Sequence, residues 1–408
     1  MAVGREQFED LLRTDVAPKL QKWILGAVEL SPYFTSVPVV RHAGESKKEV
    51  QITIKRVESY GPASEYSLLP ESGQPGYYKF FYSFQKTAGR MIVSQDTLDL
   101  DKGKNINVSS FVDSLNGFKD GIRDMDECFL WGDGTGSVCK SDGTATLQVL
   151  TMENANWVKP GMTLVAVKGG VITGTNLVVD DVDPHGFDVT FAAGSDLTGI
   201  ADATDFFIQG TYDDSLAAAP MGLKGHLSDT DPPGGAYQEK ARASNRAMSP
   251  VIKTGATPGT PEDYSDIRFQ SLFLACRRDF GKFIPEHGIY SPGAESQYVE
   301  WLKASNVPID RMPAAYGYPE SLYYVYAGKK VRFSSYLNME PNKIYFPDKS
   351  TMRRYVAKQG GFWRPAGSIF IPVADQMVVQ VVYYSHSGTA CIFPKKQAVL
   401  EDVLENAL

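Results

Sequence analysis

Long apolar runs are missing from this 408-residue chain, and nothing in it approaches the ~18 consecutive apolar residues of a membrane-spanning helix. Cysteine is scarce. Cys128, Cys139, Cys276 and Cys391 are scattered without C-x-x-C spacing, which argues against a disulfide framework and fits reduced thiols. Among His42, His185, His226, His287 and His386 there is no H-x-x-H or H-E-x-x-H pair, and none stands near a cysteine at zinc-like spacing. A G-x-S-x-G elbow for a serine nucleophile is also absent. The N-terminal "MAVGREQFEDLLRTD" has neither the apolar core nor the cleavage site of a secretory signal. The chain is therefore expected to be made and used, or assembled, in the cytoplasm.

Positive charge is missing from one segment in particular. No arginine occurs between Arg123 and Arg242, and residues 141–214 hold eleven acidic side chains against Lys159 and Lys168. The whole chain carries a formal charge of −7, so everything outside that segment is slightly basic. A charge this mild predicts neither a nucleic-acid binder nor a membrane binder. Its confinement to one stretch reads as an insertion.

What is present is a series of elements. Phe8, Leu11, Leu12, Leu20, Trp23 and Ile24 fall near helical spacing over residues 5–30, interrupted by Pro18. Such a helix packs on its own domain or docks as an arm on a neighbouring subunit. "VQITIKRV" and "KFFYSFQKTAGRMIVSQ" alternate as strands, with Ile52 and Ile54 on one face and Phe80, Tyr82 and Phe84 on another. The turn-rich residues between them predict a long projecting hairpin, which needs support from another chain.

In "NVSSFVDSLNGFKDGIRDMDECFLW", Phe111, Leu115, Phe118, Ile122, Met125 and Phe129 form an apolar stripe at steps of four and three. That predicts a helix roughly 35 Å long, capped by Asn107 or Ser109. Residues 141–214 read as five or six short strands, a small barrel or sandwich. "TPED" at Thr260–Asp263 has the pattern of a capping box before a helix. A strand at "FIPEHGIYS", a helix at "AESQYVEWLKAS" and a strand-rich C-terminal part follow, closing on a helix-like "QAVLEDVLENAL".

Candidates for chemistry are few. "GDGTG" lacks the lysine of a phosphate loop and the carboxylates of a calcium loop, and it closes a helix rather than opening one. Neighbouring residues in a strand point to opposite faces, so Glu286-His287 and Ser385-His386-Ser387 are not ready-made dyads. Asp180, Asp181 and Asp183 read as a solvated strand end. Arg242, Arg246, Arg277, Arg278, Arg353 and Arg354 could meet phosphate or a neighbour's carboxylates, or lie on a solvated surface.

Taken in order, the arm, the hairpin, "QKTAGRMIVSQDTLDL", the long helix, "LWGDGTG", "YQEKARASNRAMSP", "YGYPESLYYVYAGKKVRFSSYL" and "FWRPAGSIF" resemble the tailed-bacteriophage major capsid proteins, whose fold encapsulin-type shells share. The resemblance implies an α+β subunit with an N-terminal arm (1–47), an E-loop (48–92), a spine helix with part of a peripheral domain (93–140), an inserted acidic β-domain (141–214), an axial domain (215–325) and peripheral strands with a tail (326–408). It implies a non-enzymatic subunit that forms hexamers and pentamers of an icosahedral, DNA-containing virion shell, assembled in the host cytoplasm.

No cofactor, metal or membrane is expected. Expected partners are further copies of the chain, a separate scaffolding protein, a portal, packaged double-stranded DNA and a decoration protein. Candidate inter-subunit contacts are Phe8, Leu11 and Trp23 on the arm, Tyr66, Leu68, Leu69, Tyr77 and Tyr78 on the E-loop, and Arg353 and Arg354. The alternatives are a nanocompartment shell around an enzyme cargo, or a carbohydrate-active or carbohydrate-binding protein with the insert as its binding module.

Overall fold

The computed structural model describes residues 29–39, 47–55, 76–94, 107–145, 147–183, 187–212, 219–232, 235–280, 283–304, 322–363, 371–373 and 378–406. The arm helix, except Glu29 and Leu30, and the hairpin tip at 56–75 lie outside them. In chain order the main elements are β1 (Thr35–Pro38), β2 (Lys47–Lys55), β3 (Gly76–Ser83), β4 (Gln85–Ser94), α1 (Asn107–Trp131), β5 (Cys139–Lys140), β6 (Val149–Thr151), β7 (Thr163–Lys168), β8 (Val171–Val182), β9 (Asp188–Phe191) and β10 (Asp205–Ile208). Then come β11 (Val251–Lys253), α2 (Asp266–Phe280), β12 (His287–Tyr290), α3 (Pro292–Ala304), β13 (Tyr323–Tyr326), β14 (Lys329–Ser335), β15 (Lys343–Phe346), β16 (Met352–Phe362), β17 (Ile371–Pro372), β18 (Val378–Cys391) and β19 (Ala398–Glu401). Strands outnumber helices. The chain divides into two compact units, residues 1–41, 84–225 and 354–389, and residues 42–83, 226–353 and 390–408.

The first unit is built on β18, which pairs with β16, β17 and β4, while β1 adds on the far side of β16. Val379, Val381 and Tyr383 alternate inward along β18 and are buried, as a strand half-covered on one face requires. β18 runs as one strand of 14 residues within the strand-rich C-terminal part. The stretch 79–95, expected as one strand, divides at Phe84: β3 pairs with β2, and β4 pairs with β18 over Val378–Ser387. The hairpin therefore ends at Ser83, not at residue 92.

Helix α1 belongs to this unit. Asp126 accepts both terminal nitrogens of Arg354, at 3.0 and 2.7 Å. Arg354 is 8% exposed. Burial alone would favour losing its proton, but Asp126's charge and hydrogen bonds outweigh that, and the guanidinium is held charged. Arg354, expected as an inter-subunit contact, is instead turned inward on this ion pair, because α1 brings a carboxylate over β16.

Two residues earlier on the helix, Asp124 accepts from Arg123 at 2.8 and 2.9 Å and from Lys159 of the inserted segment. Burial pushes the Asp124 carboxyl up, yet Lys159 and Arg123 together bring it below its usual value.

The helix stops at Gly132, whose N–H donates to Cys128 O at 2.8 Å. The chain then leaves into the insert and returns to the same place. Ala219 N–H donates to Gly134 O at 3.2 Å, and Gly222 and Gly225 donate to Gly132 O at 3.0 and 3.3 Å. Gly134 has φ +92°, a left-handed conformation that glycine takes without strain. Asp133 caps the turn by accepting from the N–H and hydroxyl of Thr135 at 3.1 and 2.6 Å.

Between these anchors the strands run in the order β5-β10-β7-β8-β9-β6. A bridge from Ser141 to Met152 joins the two ends into a closed barrel, resolving the barrel-or-sandwich alternative. Bulges between Leu164 and Ala166, and between Val179 and Asp181, bend the sheet enough to close. Leu150, Leu164, Leu177, Val189 and Phe206 fill the interior.

The second unit is a six-stranded mixed sheet, β11-β19-β15-β12-β14-β13, with α2 and α3 packed on an aromatic core that includes Phe269, Phe273, Tyr298 and Phe333. Four expectations change here. The boundary expected at 325/326 cuts through β13, which pairs with β14. The helix-like C-terminal segment contains β19, inserted between β11 and β15, where Val399 and Leu400 are buried. Central pairing outweighs its helical propensity.

Finally, α2 starts at Asp266, with Ser265 as its cap residue and 3.4 Å from Arg268 N–H. No helix opens at the capping-box pattern, because its backbone is drawn into a bridge: Glu262 pairs with Val403 in parallel and its N–H donates to Asp402 O at 2.9 Å. The hairpin base, expected to rest on another chain, packs within this unit. Phe80 and Tyr82 are buried there, and Lys47 pairs with Glu239.

Two substitutions test this architecture. Arg354→Met should lower stability by about 3–5 kcal/mol in denaturant unfolding, because it strands a buried carboxylate, whereas Arg354→Met with Asp126→Leu should recover most of the loss. A Cβ on Gly222 would lie 2.5 Å from Phe129 O and 2.6 Å from Gly132 N, but one on Gly117 would meet nothing within 4 Å. Gly222→Ala should therefore cost about 1–3 kcal/mol, and Gly117→Ala should gain about 0.5–1 kcal/mol, both read as shifts in the unfolding midpoint.

Candidate functional site

The described residues bring no catalytic constellation together, and they hold no cluster of three or more His, Cys, Asp and Glu side chains. His226 is fully buried with its Nδ1 2.7 Å from the Tyr237 hydroxyl. The Arg242 guanidinium lies 3.8 Å over the Tyr237 ring and donates to the carbonyls of Met248 and His226 at 3.2 and 3.3 Å. Arg242, read as a candidate for phosphate or a neighbour's carboxylates, thus organises its own loop. Its burial satisfies main-chain carbonyls that no helix or sheet covers. A lone arginine in "EKARASN" carries no sequence signal of that role.

The two histidine doublets also separate. His287 is half-buried beside exposed Glu286. Burial, with Lys349 and Arg332 adding to it, holds its imidazole below the usual range against the pull of Glu286. On β18, Ser385 and Ser387 share the inner face with Tyr383, while His386 alternates outward and its ring meets Tyr384. The Ser385 hydroxyl is bonded to Thr87 at 2.6 Å. Asp180, Asp181 and Asp183 are exposed at the end of β8.

The four thiols are buried. Burial pushes Cys128 and Cys391 up to about 12 and Cys139 higher still, so none of these three supplies a thiolate nucleophile near neutral pH.

The first unit holds a groove of ≈ 1180 Å³, above the ~300–1,000 Å³ usual for small-molecule pockets. Its floor is α1, where Phe118, Ile122, Met125 and Phe129 line it. These four residues of the stripe are half-buried. Its walls come from β1, β4, β16 and β18, and Met162 and Ile208 of the barrel reach its rim. Two buried lining atoms, Arg354 Nε and Ser387 Oγ, have no hydrogen-bond partner.

Of the ten expected contact residues, Phe8, Leu11, Trp23, Tyr66, Leu68 and Leu69 lie outside the described residues. Tyr77 and Tyr78 are on β3, with side chains outside the description. Arg353 is half-buried on β16, and Arg354 has the internal role given above. The described helices include none long and apolar enough to cross a membrane.

No protein-family model matches the chain, and no curated protein matches it. Solved structures do. The chain is similar to a chain of the cyanophage A-1(L) capsid asymmetric unit, at 11% identity and a TM-score of 0.50, over 89% of this chain and 90% of that one. It also matches the capsid of a native GTA particle (11% identity, TM-score 0.44, 93% and 90% covered) and the holo-SrpI encapsulin complex from Synechococcus elongatus PCC 7942 (10%, 0.43, 91% and 85%). At such low identity the cyanophage likeness shows the fold: this chain has that of a phage capsid subunit. The resemblance in sequence order is met at that level, as a mixed α+β capsid-like fold.

Thiol chemistry checks the burial on which this site reading depends. In native protein at pH 8, a water-soluble disulfide reagent should label essentially none of the four cysteines within an hour, and all four in denaturant. Rapid labelling of the native protein would show a thiol open to solvent.

Proposed function

We propose that the chain is a structural subunit that self-assembles into capsomers and a closed icosahedral shell around a double-stranded DNA genome, without catalysis. The single observation carrying this reading is the likeness to the cyanophage capsid chain over about nine-tenths of both chains. The chain's own residues support it. The expected N-terminal arm and hairpin tip would suit a protein completed by neighbours. Heterologous contacts that close into rings would produce the capsomers.

In this reading the unit around α1 is the peripheral domain and the unit with the six-stranded mixed sheet is the axial one. The acidic barrel faces outward, since a surface lying against packaged DNA is disfavoured when strongly negative. A separate scaffolding protein and a portal complete assembly, and a decoration protein is a further partner on the outer face.

Negative-stain microscopy of the protein, expressed alone and with a scaffolding protein encoded beside it, tests the proposal. Shells of defined diameter are expected, and nuclease-protected DNA inside particles made during infection. Monomers that persist in every condition would overturn it, and shells filled with a co-purifying enzyme would replace it with the nanocompartment reading.

A further inference from the structure

The face of the first unit's sheet turned away from α1 is open. Along β4, Met91 and Val93 point inward and are buried, while Lys86, Ala88, Arg90 and Ile92 alternate outward and are exposed. Through the β4–β18 register these four stand beside His386, Tyr384, Val382 and Gln380, which are only half-buried although β18 is a central strand. Across β18, Trp363 follows the inward Phe362 and is 45% exposed. Helix α1 covers the other face, where Phe118 and Ile122 lie against Gly89.

The sheet carries charge of one sign. Strands β1, β4, β16, β17 and β18 contain Lys86, Arg90, Arg353, Arg354 and Lys358, and no aspartate or glutamate. Arg354 is turned inward to Asp126. Lys86 and Lys358 instead lie over the Tyr384 ring, their Nζ atoms 5.6 and 4.1 Å from its centroid. Among the described residues no carboxylate pairs with Lys86, Arg90 or Lys358. Acid is gathered on the far side of the layer. There α1 holds Asp113, Asp120, Asp124, Asp126 and Glu127 against Lys119 and Arg123, and the acidic barrel is tied to it by the Lys159–Asp124 pair. The chain's mild net charge is thus the sum of two separated fields.

An interface with a folded protein mixes signs, because charges of both signs fix its register. A face without acid suits a partner of uniform negative charge. Half-exposed aromatic rings among the cations, here Tyr384 and Trp363, are the other mark of a nucleic-acid surface. From Lys86 to Arg90 the patch runs about 13 Å along β4, a length over which a duplex presents roughly eight phosphate charges.

We propose that this sheet face binds the phosphate backbone of duplex DNA, with Lys86, Arg90 and Lys358 as its phosphate contacts and Tyr384 positioning the two lysines. Binding is independent of base sequence, because phosphate contacts carry no sequence information. The choice of DNA as the polyanion rests on the proposed genome-enclosing function; the face itself does not. The subunit would turn its acid-free side to the genome and its barrel away from it.

Fluorescence anisotropy of a labelled duplex of about 20 base pairs, titrated with unassembled full-length protein at about 50 mM salt, tests it. The logarithm of the association constant should fall with that of the salt concentration at a slope of about −2.7, from about −0.9 for each of three phosphates. Lys86→Ala/Arg90→Ala/Lys358→Ala should bind at least about ten-fold more weakly, with a slope near zero and the unfolding midpoint kept. Lys253→Ala/Lys329→Ala/Lys330→Ala, which removes three exposed lysines from the second unit, should bind like the wild type. No binding by the wild type, or equal losses in the two triple variants, would overturn the proposal. So would oligomers that the first variant abolishes and DNA fails to dissociate, since they would mark an acidic protein surface as the partner. Shell formation is read separately by microscopy. Shells from a protein that binds no duplex would overturn this proposal and leave the proposed function standing, and binding without shells would do the reverse.

Discussion

One buried ion pair fixes the first unit. Asp126 on α1 and Arg354 on β16 are 228 positions apart in the chain, and their two-pronged contact sets where the helix lies across the sheet. Neither charge is cheap to bury, and a bidentate geometry is what makes such a pair tolerable. The same helix turn holds Asp124, which reaches Lys159 at the foot of the barrel. Neighbouring acidic positions on one helix thus secure both the sheet and the insert. The insert is no loose pendant: its ends meet through Gly132, Gly134 and Gly222, and a charge pair ties its base to α1.

That arrangement explains why α1 has a half-buried apolar stripe. Leu115, Cys128, Leu130 and Trp131 are buried, while Phe118 and Ile122 face Gly89 of β4, where a Cβ would lie 3.1 and 3.5 Å from them, and Met125 and Phe129 continue the same lining. At about 25 cal/mol per Å² of apolar surface removed from water, covering even part of such a stripe is worth several kcal/mol.

Much of this is legible in the amino-acid order alone. The helical period of α1, the alternation around Phe80 and Tyr82 and the turn-punctuated strands of the acidic segment each belong to one continuous stretch, so local periodicity carries them. Other readings fail where distant residues decide. Thr260 and Asp263 have the spacing of a capping box, yet Glu262 between them is bridged to Val403, far along the chain. "AVLE" reads as helical until β11 and β15 close on both sides of it. Arg242 and Arg354 look like surface charges in sequence; the carbonyls and the carboxylate that draw them inside lie on other segments.

By itself the sequence determined the type of the elements with a clear local period, such as α1 and the strands of the insert, the isolation of negative charge in that insert, and the lack of motifs for metal, phosphate or nucleophile chemistry. These follow from composition and short-range spacing, which the chain carries wherever it folds. Only the tertiary structure decided where the strand before residue 95 splits between two sheets, that the insert closes into a barrel, which arginines are internal, and that the helix stripe borders a groove. Each of those outcomes depends on pairing between residues tens to hundreds of positions apart, and the free energy of such a pairing belongs to neither partner's local sequence.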